Sequence, residues 1–198
     1  MRRSSFPLIL AGLLVAASMP PWGWWPLGFI GIALYGSVAV QRREKTFSTG
    51  FLFAAAWFLP SMAWMWFLTA PGYIVAILIF CVMHGVASYI AAKLSNTDSS
   101  HRTALIICHS LAEVLRLSFP FGGVPLATLA IGQVSGPLAD LAPLMGVIGI
   151  TTATLYLALT DHRFRAICVV GFLVLLGSTW NSTQSMGRTL NLAIVQGG

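Results

Sequence analysis

Charge is what this chain has least of. Asp, Glu, Lys and Arg make up 8% of its 198 residues, against roughly a quarter in an average soluble domain. Acidic residues number five (Glu44, Asp98, Glu113, Asp140 and Asp161), which leaves no run of carboxylates to build a solvated face. Cysteine is equally sparse. Cys81, Cys108 and Cys168 each lie inside an apolar run. None stands in a CxxC pair or at Cys/His ligand spacing, so no zinc site or thiol redox motif is implied and the three read as small packed side chains. No metal and no cofactor follow from the residues. The net charge of +6 does not point to nucleic acid either, because the basic residues fall in short clusters between apolar runs and form no continuous patch.

What the chain has instead is hydrophobic length. Apolar residues make up 57% of it and the mean hydropathy is +0.84, which identifies an integral membrane protein of the all-α class, one polytopic helical bundle. Read in order, the apolar runs cover about residues 6–19, 26–40, 47–68, 73–94, 103–117, 141–160 and 166–180, seven in all. Several fall short of the ~20 residues an upright helix needs to cross a bilayer. The first run, with Arg2 and Arg3 before it and small residues at its end, also fits a signal peptide, but a second run follows almost at once. Trp22, Trp24 and Trp25, set among Pro20, Pro21 and Pro26, predict a tight turn at headgroup level. Pro60 predicts a kink in the third run, and Ala70-Pro71-Gly72 reads as a minimal turn before the fourth. His84 reads as a packed core histidine.

The basic residues test this map. With the N-terminus inside the cell, residues 1–5, 41–45, 93–102 and 161–165 are cytoplasmic. They hold Arg2, Arg3, Arg42, Arg43, Lys45, Lys93, Arg102, Arg163 and Arg165, nine of the eleven basic residues. That asymmetry is what the positive-inside rule requires. It places the C-terminal tail, residues 181–198, outside. The chain thus divides into a bundle over 1–180 and an extracytoplasmic linker over 181–198, in which Leu190, Leu192 and Ile194 alternate as in a strand.

Residues 111–150 depart from a bland anchor. Glu113 and Arg116 stand three apart in an apolar run, with His109 four residues before Glu113, so the three share one helical stripe. Ionisable groups at membrane depth are costly unless paired or facing a polar cavity. Pro120, Gly122, Gly123, Pro125, Gly132, Gly136, Pro137 and Pro143 follow. So long an irregular segment is tolerated only buried in protein, lining water or at the interface.

These pieces carry a resemblance. Pro20-Pro21-Trp22-Gly23-Trp24-Trp25-Pro26-Leu27, Gly50 with Trp57, Glu113-Val114-Leu115-Arg116, Phe121-Gly122-Gly123-Val124-Pro125, Gly132-Gln133, Gly136-Pro137-Leu138-Ala139-Asp140-Leu141-Ala142-Pro143 and the closing Ala193-Ile194-Val195-Gln196-Gly197 come in the order of the bacterial apolipoprotein N-acyltransferases. The chain resembles the membrane half of that family, and the Phe-Gly-Gly form of the central loop is most similar to actinobacterial members. The resemblance implies an acyltransferase of lipoprotein maturation. A phospholipid donates an acyl chain to an enzyme thiol, and the N-terminal diacylglyceryl-cysteine of a lipoprotein takes it. It also implies that the Glu-Lys-Cys triad belongs to a nitrilase-like domain whose first strand would start near Leu190, so that this sequence is truncated at that domain, carries no catalytic residue and is inactive alone. A separate nitrilase-like chain is then a possible partner. Glu113, Arg116, Pro125, Gln133 and Pro137 become candidate substrate-binding residues, with phospholipid and diacylglyceryl lipoprotein as partners in a bacterial plasma membrane. Val124-Pro125-Leu126 replaces the family's usual Phe-Pro-Trp, which removes two aromatics from the loop. Two alternatives stay open. Glu113 and Arg116 either bind a headgroup or only hold the bundle, and the chain is either this membrane portion or a scaffold or small transporter of the same descent.

Overall fold

A computed structural model describes residues 4–119 and 123–183, and within them the chain is all-helical. Seven α-helices follow in order: α1 (Phe6–Ala17), α2 (Trp25–Gln41), α3 (Thr46–Ser61), α4 (Ala70–Lys93), α5 (Asp98–Arg116), α6 (Ala142–Leu159) and α7 (Arg163–Thr183). Short 3-10 turns occupy Ala63–Phe67, Ile131–Gln133 and Pro137–Leu141. The strand expected near residue 190, and Pro120, Phe121 and Gly122 of the central loop, lie outside the described residues.

Local chemistry explains the helix limits. Proline stands in the first turn of α1, α2, α4 and α6, where its missing N–H costs nothing. Thr97 caps α5 through a reciprocal pair with Ser100, its hydroxyl accepting from the Ser100 amide while the Ser100 hydroxyl accepts from the Thr97 amide. Two expected boundaries are corrected. Ala70-Pro71-Gly72 is the first turn of α4, because the Thr69 hydroxyl accepts from the Gly72 amide and caps the helix there. The third run is not one continuous helix to Leu68. Pro60 removes a ladder hydrogen bond in the last turn of α3, which ends at Ser61, and the chain continues as the Ala63–Phe67 turn with Trp64 and Trp66 half-exposed. Inside α6, Gly146 takes φ +60°, a conformation that glycine tolerates and a β-carbon opposes, and the helix bends there.

α1 packs on both α2 and α3, α3 on α4, α4 on α5 and α5 on α6, while α2 closes the bundle against α6. α7 lies against α6 and the Pro137–Leu141 turn. The α1–α3 contact depends on Gly12. A β-carbon there would stand 2.5 Å from the Phe53 carbonyl oxygen, 2.6 Å from the Ala56 methyl carbon and 2.8 Å from the Trp57 nitrogen, so the two helices approach closely across a glycine and an alanine.

The exterior is apolar to a degree unlike a water-facing surface. Ile74, Val75, Leu78, Val82, Val86 and Ile90 stand exposed along α4, and Phe164, Ile167, Val169, Phe172, Leu175 and Leu176 along α7. α4 and the Pro137–Leu159 segment are each long and apolar enough to cross a membrane. Cys81 and Cys108 are buried, but Cys168 is exposed on α7 among that apolar set. The expectation of three packed thiols is therefore corrected for Cys168, because α7 covers only its α6-facing side.

Charge collects at one end of the bundle. The Arg42 guanidinium donates to the Ser4 carbonyl at 2.9 Å, and that of Arg43 donates to the carbonyls of Ser95 and Thr97 at 3.3 and 2.6 Å and meets Asp98 at 3.3 Å. Arg102 pairs with Asp161 at 3.2 Å. Segments 4–5, 41–45, 93–102 and 159–163 are thus drawn together. His101, buried in the first turn of α5 beside Ser95, has its imidazole pKa lowered by burial and by the neighbouring Arg43 charge.

Gly12→Ala should overpack the α1–α3 contact and cost about 1–3 kcal/mol, lowering the thermal midpoint of the purified protein in detergent. Gly171→Ala, on α7 with nothing within 4 Å of the added carbon, should leave the midpoint unchanged or raise it. Equal losses would show that helix approach at Gly12 is not tight.

Candidate functional site

The polar centre of the bundle is built on α5. Glu113 and Arg116, 1% and 0% exposed, face inward one turn apart. Arg116 Nε donates to Glu113 Oε1 at 3.0 Å and Nη2 donates to Oε2 at 2.6 Å, a two-point pairing that fixes both side chains. The guanidinium is stacked between Phe58 of α3 and Phe80 of α4, 5.0 and 4.8 Å from their ring centres. Its remaining donor, Nη1, turns to the central loop. It donates to the Leu126 carbonyl and, at 3.5 Å, to that of Val124, while the Val124 amide donates back to the Arg116 carbonyl at 2.9 Å.

On the other side of Glu113 the polar groups form a line across three helices. His84 Nε2 of α4 lies 3.3 Å from Glu113 Oε1, and His84 Nδ1 lies 2.8 Å from His109 Nδ1 of α5. His109 Nε2 is 2.8 Å from the Tyr35 hydroxyl of α2, which is 2.6 Å from the Ser88 hydroxyl of α4. The hydroxyls and imidazole nitrogens of this line can each donate or accept, so the line ties α2, α4 and α5 together whichever way its hydrogens point.

A cavity of about 10 Å³ touches Tyr35, Trp57, His84, His109 and Glu113, room for one water-sized molecule. Trp57 Nε1, buried and without a hydrogen-bond partner among the described residues, belongs to its wall. The facing histidine nitrogens are too close for a metal between them, since two Zn–N bonds of about 2 Å each need a wider gap. No cysteine lines the cavity, and the Tyr35 and Ser88 hydroxyls are engaged with each other and with His109. What the cluster does chemically is fix helices α2, α4 and α5 and the loop at 124–126 to one buried charge pair.

The five sequence-derived candidates separate. Glu113 and Arg116 are joined, and Arg116 holds the loop at Pro125, which itself is exposed. Gln133 is buried elsewhere, its Nε2 donating to the Trp25 carbonyl at 3.3 Å at the start of α2. Pro137 is exposed at the start of a 3-10 turn. His84 is no simple packed core residue. With Tyr35, Ser88 and Trp57, it is what residue-by-residue inspection misses. The available signal was the four-residue spacing of His84 and Ser88, which shares a face as His109 and Glu113 do.

Glu113→Ala should cost about 3–5 kcal/mol, because it leaves the Arg116 charge buried and unmatched. The double change Glu113→Ala with Arg116→Ala should be milder than the losses of Glu113→Ala and Arg116→Ala summed. Thermal unfolding of the four proteins in detergent gives the coupling, and purely additive losses would show that the pair is not a unit.

Residues 11–160 match the family model described as the apolipoprotein N-acyltransferase N-terminal domain. The chain is 27% identical over 199 residues to the apolipoprotein N-acyltransferase of Rhizobium rhizogenes, covering 86% of this chain and 37% of that protein. It is 30% identical over 181 residues to the enzyme of the same name from Verminephrobacter eiseniae, covering 79% and 33%. With that of Ralstonia nicotianae it is 24% identical over 215 residues, covering 95% and 41%. It thus spans between a third and about two fifths of the length of these curated relatives. The match contains the whole of α2 to α5, the buried charge pair and the loop it holds, and on that ground the chain belongs to the apolipoprotein N-acyltransferase family, through its N-terminal domain.

Proposed function

We propose that this chain is the membrane domain of an apolipoprotein N-acyltransferase, in which a phospholipid acyl chain is passed to the N-terminal diacylglyceryl-cysteine of a lipoprotein. In this reading the bundle crosses a bacterial plasma membrane seven times, with its N-terminus in the cytoplasm. The charged end described above is the cytoplasmic end, in keeping with the positive-inside rule. The loop after α5 lies toward the outer leaflet, where donor and acceptor lipids meet. Pro125 takes part directly, Gln133 and Pro137 line the neighbouring surface, and Glu113 with Arg116 sets the height and angle of the loop. The single observation that carries this assignment is the Arg116 guanidinium, which spends two donors on Glu113 and the third on the loop carbonyls.

The acyl-enzyme chemistry is assigned to residues outside 1–198, in the length that the relatives have beyond the matched region. Cys81 and Cys108 are buried, and Cys168 is exposed near the start of α7, at the end of the bundle away from the loop after α5.

Two measurements test the proposal. Reporter fusions after Lys45, Ser99, Arg163 and Gly198 should read inside, inside, inside and outside. An inside signal at Gly198 would remove one span. Separately, the purified chain, offered phospholipid and a diacylglyceryl-cysteine peptide, should bind phospholipid but release no N-acylated peptide. A thioester trapped on Cys81, Cys108 or Cys168 would move the chemistry into this bundle and overturn the assignment.

A further inference from the structure

At the charged end, a cleft of about 570 Å³ opens between the start of α3 and the end of α4. Its floor is the first turn of α3, where Lys45 occupies the cap position and supplies no side-chain cap. The amides of Thr46, Phe47 and Ser48 have no acceptor among the described residues. Free amides at a helix start, with the dipole behind them, form an anion site in outline. Thr46 adds a second, independent feature. It is 8% exposed, lines the cleft, and its hydroxyl makes no hydrogen bond within the described residues. That hydroxyl opens onto the cleft, so it is free to donate to a bound acceptor.

Two lysines line this cleft. Lys45 comes from α3's cap, and Lys93 from the last turn of α4, where its ammonium stands 5.6 Å from the centre of the Tyr89 ring. Neither is in an ion pair among the described residues. Arg43, on the rim, is already engaged by Ser95, Thr97 and Asp98. Glu44 is the acidic group at the rim, exposed and outweighed by the two lysines. Phe47 and Tyr89 wall the cleft and are half-exposed, and Val86 and Ile90 continue the apolar face of α4 beside it. The cleft is thus polar and cationic at the charged end and leads onto hydrocarbon-like surface.

We infer that this cleft holds the headgroup of a net-negative phospholipid, its phosphate on the Thr46–Ser48 amides between Lys45 and Lys93, and its acyl chains along the exposed face of α4 beyond Phe47 and Tyr89. The adjoining apolar wall selects a lipid over free phosphate, since a soluble anion gains nothing from it. The paired lysines select an anionic lipid over a zwitterionic one, because basic residues near a membrane surface are attracted to anionic headgroups. The site rests on the proposed placement of the bundle in a bilayer and is independent of acyl transfer, for it lies at the end of the bundle away from the loop held by Arg116.

The test uses the full chain in a neutral detergent with equal amounts of phosphatidylglycerol and phosphatidylcholine, the retained lipid being counted by native mass spectrometry. Phosphatidylglycerol should be retained in preference. Lys45→Gln and Lys93→Gln should each reduce that preference by about fivefold, and together by roughly 25-fold. Arg163→Gln with Arg165→Gln, at the same end but away from the cleft, should leave it unchanged. Thr46→Val should weaken retention without altering charge, and it decides the matter if the lysine variants fail to fold. Undiminished preference in the double lysine variant and in Thr46→Val would overturn the site. Displacement of the lipid by millimolar inorganic phosphate, with phosphate binding equally well alone, would make it a free-anion site and overturn the lipid assignment. A chain that stays soluble without detergent would instead refute the membrane placement before any lipid is added. Loss or gain of acyl transfer has no bearing on any of these readouts.

Discussion

One buried ion pair sets the terms for the rest of the bundle. A guanidinium with no exposed surface has five donor hydrogens to place, and a carboxylate beside it has several lone pairs. Stranding either charge in an apolar interior costs several kcal/mol. The Glu113–Arg116 pair answers most of that demand internally, through two parallel hydrogen bonds. What is left over recruits the neighbours. The spare face of Arg116 is covered by Phe58 and Phe80, its spare donor holds the 124–126 carbonyls, and the spare side of Glu113 is met by His84. These neighbours come from α3, from α4 and from the loop. A single local requirement on α5 therefore fixes the rotation of α3 and α4 and the seating of the loop, and the histidine–tyrosine line extends the same constraint to α2.

The bundle encloses a polar cluster within an apolar core, and its exterior is apolar as well. Burial of hydrophobic side chains from water cannot explain its assembly, since so many of the largest ones remain on the outside of α4 and α7. Close backbone approach, as at Gly12, and interhelical hydrogen bonds through Tyr35, Ser88, His84 and His109 supply the specificity instead. Such bonds hold well where no water competes, and they also discriminate among rotations of one helix against another. Apart from Asp140, the charged groups among the described residues that do not join this interior gather near where segments 41–45, 93–102 and 159–163 meet, and there Arg43 and Arg102 join successive helix ends to one another.

Much of this was legible in the sequence, for identifiable reasons. The helical class follows from composition, and the Glu113, Arg116 and His109 stripe from spacing within one helix, because local periodicity survives whatever the tertiary packing. Membership of the family was visible in the order of short Pro, Gly and Glu-x-Leu-Arg pieces. Less was visible wherever the answer depended on a partner helix. A lone histidine at position 84 carries no sign that it will meet His109 and Glu113, and Tyr35 looks like any aromatic of an apolar run. Ala70-Pro71-Gly72 has the composition of a turn, and only the hydroxyl of Thr69 before it makes it a helix start. Gln133 and Pro137 lie close to Arg116 in sequence, but the 3-10 turns that follow the loop carry Gln133 to Trp25, where Arg116 does not reach.

The outward position of Cys168 gives the molecule a built-in probe. Two of its three thiols are sealed between helices, while the third looks out from the face of α7 that its neighbours leave uncovered. A thiol-reactive spin label or fluorophore offered to the unmodified protein will therefore mark one position, on the helix nearest the edge of the bundle. Its collision rate with oxygen dissolved in hydrocarbon, set against a water-soluble quencher, reports whether α7 enters a bilayer and how deeply, with no residue of the chain replaced.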